Sequence, residues 1–374
     1  MTRVAIAHDY LTQRGGAERV VLSMARAFPG APIYTTLYEP DSTYPEFRDL
    51  DIRTSPLNRL SDLRKDHRRA LPLLPWGIGQ MRIHADVVVA SSSGWAHGIR
   101  TTGRKLVYCH APARWVYQTK DYLGTHNLWR HPIGAPLMAL RPALTRWDRA
   151  AASTADRYLA NSNVVRERVA EAYGIEADVL FPPFGVDTHG EVEVVPQAAE
   201  WADEGFHLIV SRLLPYKHVR EAIEAFTDLP ERLLVIGAGP QEAELTAMAP
   251  HNVRLAGRLT DAQMRWAYHH ANVLVAPSYE DFGLTPLEAA SFGKPTLALR
   301  AGGYLDTIDD SVNGAFFGAA TPAAIRAAVI DNRDRLWQPG AITAHAERYS
   351  EERFVAELRR EVEAMTGPYV PTTG

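Results

Sequence analysis

Short, compact apolar runs alternate with longer stretches of helical spacing along most of this chain. Val4–Ala7, Val87–Ala90, Leu106–Cys109 and Tyr158–Ala160 are apolar at nearly every position, the pattern of strands buried on both faces. Among them, Glu18–Phe28 and Val164–Tyr173 carry apolar residues at helical spacing. The second half repeats the scheme. It predicts strands at His207–Val210, Arg232–Ile236, Val253–Leu255, Val273–Ala276 and Thr296–Leu299, and helices at Val219–Phe226, Gln241–Ala249, Asp261–His270 and Pro286–Phe292. Strands that alternate with helices pair in parallel, so the chain reads as α/β with two doubly wound lobes. A Pro-Pro-Phe-Gly turn running into Gly185–Glu191 separates the halves. The expected domains are 1–187, 188–345, and a C-terminal helix and tail at 346–374 that packs back toward the N-terminal domain.

Length agrees with this division, because 374 residues suit two domains of ordinary size. The 46% hydrophobic and 22% charged content is that of a globular protein. No uninterrupted apolar stretch reaches the ~18 residues of a membrane span. The opening MTRVAIAHDYL reads as a strand and then polar residues, not as a signal peptide, and Cys109 is the sole cysteine, so no internal disulfide forms. The cytoplasm is the expected compartment.

The net charge of −4 hides an asymmetry: residues 1–190 hold 24 Lys and Arg against 18 Asp and Glu, and the remainder holds 16 against 26. The basic excess is modest and lacks interleaved aromatics, which disfavours nucleic acid. Its densest part, Arg59–Arg82, joins basic residues to Leu71, Leu73, Leu74 and Trp76. That mixture suits peripheral contact with an anionic membrane at its inner face, and it equally suits a solvated helix leading into a buried loop, the favoured reading.

In doubly wound folds ligands bind where strands end, so the loops after the strands hold the candidate chemistry. The richest follows Val273–Ala276: Glu280 and Glu288 flank Phe282-Gly283-Leu284 at a strand-to-helix junction. A helix start attracts phosphate through its free N–H groups, glycine lets the backbone approach, and carboxylates accept hydrogen bonds from sugar hydroxyls. The combination fits a nucleotide sugar; spacing alone also permits a surface loop with two solvated glutamates. After Val4–Ala7, Gly15-Gly16 opens a helix and can bring backbone N–H groups to a diphosphate, or be a plain tight turn. After Leu106–Cys109 stands His110, and a lone histidine is more often structural than catalytic. Arg212 and Lys217, after His207–Val210, can converge on a diphosphate or be two surface cations. Gly237-Ala238-Gly239-Pro240 approaches a dinucleotide fingerprint, but its third glycine position is Glu242 and no acidic residue ends the following strand, which disfavours hydride transfer.

Taken in order, these loops resemble retaining glycosyltransferases of family 4, with the GT-B fold of two Rossmann-like lobes facing a central cleft. The resemblance spans nearly the whole chain and rests on Gly15-Gly16, His110, Ser211-Arg212-Leu213 with Lys217, Gly237-Ala238-Gly239-Pro240, Gly257-Arg258-Leu259 with Asp261, the Glu280–Glu288 segment and Gly302-Gly303. HDYLTQRGGAE, SSSGWAHG and YCHAPARWVY look most like mannosyltransferases of polysaccharide and glycolipid assembly. The resemblance implies that Glu280 binds donor-sugar hydroxyls and that Phe282, Gly283 and Leu284 offer backbone N–H groups. Glu288 would hold the ribose, and Arg212 and Lys217 the diphosphate, with Gly16 approaching from the opposite lobe. Gly239 joins the donor-binding set, Arg258 and Leu259 would lie beside the base, and His110 would face the transferred sugar. Two departures stand out: His218 where many relatives have glycine, and Asp306 where many have glutamate.

The implied reaction moves a hexose, most simply mannose from GDP-mannose, to an acceptor hydroxyl with retention. No carboxylate is an obvious covalent nucleophile, so the expected attack is on the face the diphosphate leaves, the leaving phosphate taking the acceptor's proton. The acceptor would be a lipid-linked saccharide or glycolipid, bound among basic and aromatic residues between Arg59 and Trp147, including Arg114, Trp115 and Trp129. A UDP- or dTDP-sugar with a soluble acceptor, a nucleotide-sugar epimerase, and a non-enzymatic sugar-nucleotide sensor are the alternatives. Asp49-Leu50-Asp51 resembles a metal-binding D-x-D but lies far from the other motifs, so neither metal nor other cofactor is expected beyond the co-substrate. Transfer activity should therefore survive EDTA unchanged; loss on chelation, restored by a divalent ion, would overturn the metal-free reading.

Overall fold

The computed structural model describes residues 2–71, 73–119, 128 and 134–366, in two compact units. Unit 1 takes the chain up to Pro183 together with the stretch from Glu351, and unit 2 is Phe184–Ser350. The limits expected at 187 and 345 thus fall inside unit 2. Phe184 explains the first shift, since it packs against the cluster of Ala290, Ile342 and Ala346 and its N–H donates to the Tyr349 carbonyl.

Unit 1 contains β1 (Val4–His8), β2 (Ile33–Thr35), β3 (Ile52–Thr54), β4 (Arg82–Ile83), β5 (Val87–Ser92), β6 (Arg100–Thr101), β7 (Arg104–Cys109), β8 (Arg157–Ala160) and β9 (Asp178–Val179). Seven of these form a parallel sheet in the order β3-β2-β1-β5-β7-β8-β9, and β4 pairs with β6 apart from it. Residues alternate cleanly between its faces. Ala5, Ala7, Val88, Ala90, Val107 and Cys109 face one core layer, with residues of helices Leu74–Gly79, Gly134–Ala152 and Asn163–Tyr173. Val4, Ile6, Val87, Val89, Leu106 and Tyr108 face the other, where helices Gly16–Ala27 and Glu351–Thr366 cover them.

The C-terminal helix is held in unit 1 by apolar and polar contacts together. Phe354, Leu358 and Val362 enter the second layer, Phe354 meeting the Tyr108 ring edge-on at 5.6 Å. Arg359 Nε donates to the Ala27 carbonyl at 2.7 Å, closing the end of helix Gly16–Ala27, and Glu361 accepts from Arg157 at 2.8 Å.

Unit 2 contains β10 (Phe206–Val210), β11 (Leu233–Ile236), β12 (Val253–Gly257), β13 (Ala271–Ala276), β14 (Thr296–Leu299) and β15 (Gly314–Phe317), parallel in the order β12-β11-β10-β13-β14-β15. Both sheets reverse their order once, between β1 and β5 and between β10 and β13, which opens a crevice at the strand ends there. Local sequence sets several helix limits. Thr260 and Gln263 form a reciprocal capping box at the start of Asp261–His270, while Ser162 caps Asn163–Tyr173, which ends at left-handed Gly174.

The strands that escaped prediction, β2, β3, β4, β6, β9 and β15, are two to four residues long, too short for a periodic signal. Helix Gly134–Ala152 was masked by Pro142 inside it. Leu358 is fully buried. Leu358→Ala should cost ~3 kcal/mol of stability, read as a lowered urea midpoint at unchanged slope.

Candidate functional site

The crevice at the β10/β13 reversal gathers most of the predicted donor residues of unit 2. The chain leaves β10 through Ser211–Leu214, turns in a short 3-10 segment, Pro215–Lys217, and enters helix Val219–Phe226 through His218. His218 is left-handed there, φ 54° and ψ 31°, a conformation that glycine adopts without strain and a Cβ residue resists. Its Nδ1 lies 3.1 Å from Glu221 in compensation.

Lys217 is thereby turned inward, its side chain only 10% exposed, and it donates to Glu280 Oε1 from beyond β13. The same oxygen accepts from Ser278 Oγ at 2.5 Å, and Ser278 stands 3.2 Å from the buried Tyr304 hydroxyl. Burial and the Glu280 charge hold the Tyr304 phenol above its ordinary range, so it stays a neutral hydrogen-bonding group. Sequence reasoning had given Lys217 and Glu280 separate tasks; the structure makes them one ion pair, and adds Ser278 and Tyr304, which no motif had flagged. The two ends of this network sit 63 residues apart in sequence, so spacing could not reveal it.

Gly283 caps helix Leu284–Ser291 at φ 89°, and a Cβ there would lie 2.5 Å from the Tyr304 ring. Both facts demand glycine. The helix start leaves the Leu284 and Thr285 N–H groups without intrahelical acceptors, at the positive end of its dipole. Phe282 is buried beside Tyr349, its ring 6.0 Å away, so its side chain is structural. Glu288 accepts from the buried Tyr268 hydroxyl at 2.8 Å, which fixes one carboxylate oxygen. Arg212 donates to Tyr216 at 2.7 Å and does not join Lys217. Gly239 sits where a Cβ would fall 2.3 Å from the Leu213 carbonyl, so the loop after β11 lies directly on the loop after β10. Arg258 is exposed, and Leu259 packs at the margin of a core cluster.

In unit 1, Gly15 is the extended N-cap of helix Gly16–Ala27, and behind it Glu18 is buried. Burial pushes the Glu18 carboxyl up to about 7. At the β1/β5 reversal, His110 Nε2 lies 2.8 Å from Ser91 Oγ, which lies 3.0 Å from His8 Nδ1. Burial, with His8 second, draws His110 down to about 3, so it is neutral. Asp9 fixes the loop after β5 by accepting backbone N–H groups of Ser93, Trp95 and Ala96.

Other expectations change. Trp115 is buried against Trp95, with ring centres 6.1 Å apart, so it offers no open acceptor surface; Trp129 lies outside the described residues. Asp51 of the D-x-D triplet is bound by Arg53 at 2.7 Å. Among the described residues no group of three or more His, Cys, Asp or Glu is arranged to hold a metal ion, and no helix is long and apolar enough to cross a membrane. Leu71 and Leu74 of the basic run are buried, whereas Leu60, Leu73 and Trp76 are about half exposed.

Two family models divide the chain as its sheets do. The model described as Glycosyltransferase Family 4 matches residues 14–189, and that described as Glycosyl transferases group 1 matches 193–332. The chain belongs to glycosyltransferase family 4. It is a glycosyltransferase of the GT-B fold class. The family 4 chain is 26% identical over 351 residues to the human alpha-1,3/1,6-mannosyltransferase ALG2, covering 80% of each. It is 28% identical over 236 residues to the GDP-mannose-dependent alpha-mannosyltransferase of Corynebacterium glutamicum, covering 59% of this chain and 54% of that one. In fold it matches Anabaena Alr3699/HepE, solved with UDP, at TM-score 0.70 and 15% identity over 97% of this chain and 100% of that one.

Glu280→Ala strands the Lys217 ammonium in a pocket built for an ion pair. It should lower kcat/KM at least tenfold, ~1.4 kcal/mol, and destabilise the fold measurably in urea; transfer within about threefold of wild type would remove Glu280 from the reaction.

Proposed function

We propose that this family 4 enzyme transfers mannose from GDP-mannose to a hydroxyl of a lipid-linked saccharide or glycolipid, with retention. The observation that carries the donor half is the Lys217–Glu280 pair beside the start of helix Leu284–Ser291, where cation, carboxylate and helix N-terminus converge at the strand ends. A nucleoside diphosphate needs the cation and the N–H groups, and the sugar needs the carboxylate. The relatives named for mannosyl transfer, one of them for GDP-mannose, favour that donor.

The roles are those that the family resemblance implies. Glu280 takes sugar hydroxyls, while Gly283, Leu284 and the Phe282 backbone border sugar and phosphate. Lys217, Arg212 and Gly16 stabilise the diphosphate, with Gly15 shaping the approach. Arg258 and Leu259 lie beside the base, Gly239 belongs to the donor-binding set, Glu288 holds the ribose, and His110 faces the transferred sugar. The acceptor oxygen attacks on the side from which the diphosphate departs, and that phosphate takes its proton. The developing charge then rests on Lys217, Arg212 and the helix start, and no metal is used.

The surface of unit 1 supports the acceptor end of this reading. Helix Ser61–Lys65 buries no side chain, and Leu60, Leu73 and Trp76 stand exposed near Arg59, Lys65 and Arg82. Apolar groups among cations suit a peripheral site on an anionic membrane, which supports the reading of an enzyme at a cytoplasmic face where a lipid-linked acceptor is presented.

A UDP-sugar is the second reading, favoured by the fold match to a structure holding UDP. A thermal-shift series separates the two. GDP-mannose at 100 times its Kd should add ~2.7 kcal/mol of stability, with smaller shifts from UDP-glucose, UDP-GlcNAc and dTDP-sugars. A larger shift from a UDP-sugar would replace the donor, and sugar conversion without acceptor would replace transfer by epimerisation.

A further inference from the structure

The polar chain at the β1/β5 reversal has a direction, fixed by which atoms can donate. His8 Nδ1 lies 3.2 Å from the Ser91 carbonyl oxygen and 3.0 Å from Ser91 Oγ. A carbonyl oxygen only accepts, so Nδ1 of His8 carries its hydrogen, and Ser91 Oγ cannot donate back to it. The other partner of Ser91 Oγ among the described residues is His110 Nε2 at 2.8 Å. Were Oγ to accept from both rings, its own hydrogen would be buried without an acceptor, a costly arrangement, so that hydrogen points at Nε2, which presents a lone pair. A neutral imidazole with an unprotonated Nε2 carries its hydrogen on Nδ1.

We infer that Ser91 and His8 are positioning residues that lock His110 into the Nδ1–H tautomer, so that its open nitrogen serves the transferred sugar as a fixed hydrogen-bond donor. This rests on the reading that His110 faces that sugar. The fold supplies the rigidity such a device needs. His8 and Ser91 are register partners in adjacent parallel strands, Ser91 is fully buried, and the Tyr108 ring meets the His110 ring edge-on at 5.1 Å. Asp9, next to His8, pins the following loop through three backbone N–H groups, so both strand ends are held. Burial also keeps His110 uncharged, leaving Nδ1–H as its one donor. With Nε2 already engaged, the ring holds an oxygen in place and does not shuttle the acceptor's proton.

The experiment is an imidazole nitrogen spectrum of the full-length protein labelled with 15N-histidine, the His110 signals being assigned by their loss in His110→Gln. The wild type should show protonated Nδ1 and unprotonated Nε2. Ser91→Ala should mix the tautomers and lower kcat with GDP-mannose about tenfold, while KM for GDP-mannose stays within about twofold. His8→Asn, which keeps an N–H where Nδ1 stood, should retain the tautomer and most of kcat, whereas His8→Leu should lose both. A wild-type His110 protonated on Nε2, or a Ser91→Ala protein with unchanged tautomer and kcat, overturns the inference. If the spectrum is as stated but His110→Ala turns over GDP-mannose at the wild-type rate, the placement of His110 at the sugar fails instead.

Discussion

Parallel pairing is the constraint from which the chemistry of this protein descends. When every strand of a sheet runs the same way, all carboxyl ends emerge along one edge, and each connection must cross back over a face through a helix. Where successive crossovers change direction, between β1 and β5 and between β10 and β13, neighbouring loops part and leave space. His8, Ser91 and His110 converge at the first of these places; Lys217, Ser278 and Glu280 converge at the second. Neither group is local in sequence, so a shift of strand register would dissolve both.

The two groups answer the same electrostatic problem in opposite ways. In unit 2 a cation and a carboxylate are paired with each other, with Ser278 supplying a further hydrogen bond to the oxygen they share. Such a pair gains little net stability, because desolvation consumes much of its attraction, but it holds charge ready for a ligand that can compete for it. At the β1/β5 reversal of unit 1 burial holds His8 and His110 neutral, and orientation, not ionisation, becomes the controlled variable. Asp9, next to His8, accepts from three backbone N–H groups.

Much of this is legible in the amino-acid sequence. The core strands are dense apolar runs buried on both faces, a signal that survives without tertiary context, and the loops that follow them carried Glu280, Lys217 and His110 into view. Short edge strands such as β3 and β15 left no period to detect, and Pro142 argued against the helix that contains it. The Lys217–Glu280 pairing was hidden because each residue had a self-sufficient reading within its own motif. Ser91 was hidden more thoroughly: a serine at a strand end is ordinary, and only the register that sets it beside His8 gives it meaning. His218 shows the reverse case, where a departure from glycine noted in the sequence became intelligible once its positive φ was known.

The return of helix Glu351–Thr366 to unit 1 also orders events during synthesis. Unit 2 is a continuous insertion, so its whole sequence has been translated by Ser350. Unit 1 waits: the layer around Val4, Ile6 and Tyr108, already covered in part by helix Gly16–Ala27, is completed only when Phe354, Leu358 and Val362 arrive, and the bond from Ser23 to Glu351 spans 328 residues. Contacts so distant close late, because the loop entropy precedes the reward. The half of the enzyme translated first is thus the half completed last, and its exposed apolar face is what a chaperone would meet on the nascent chain.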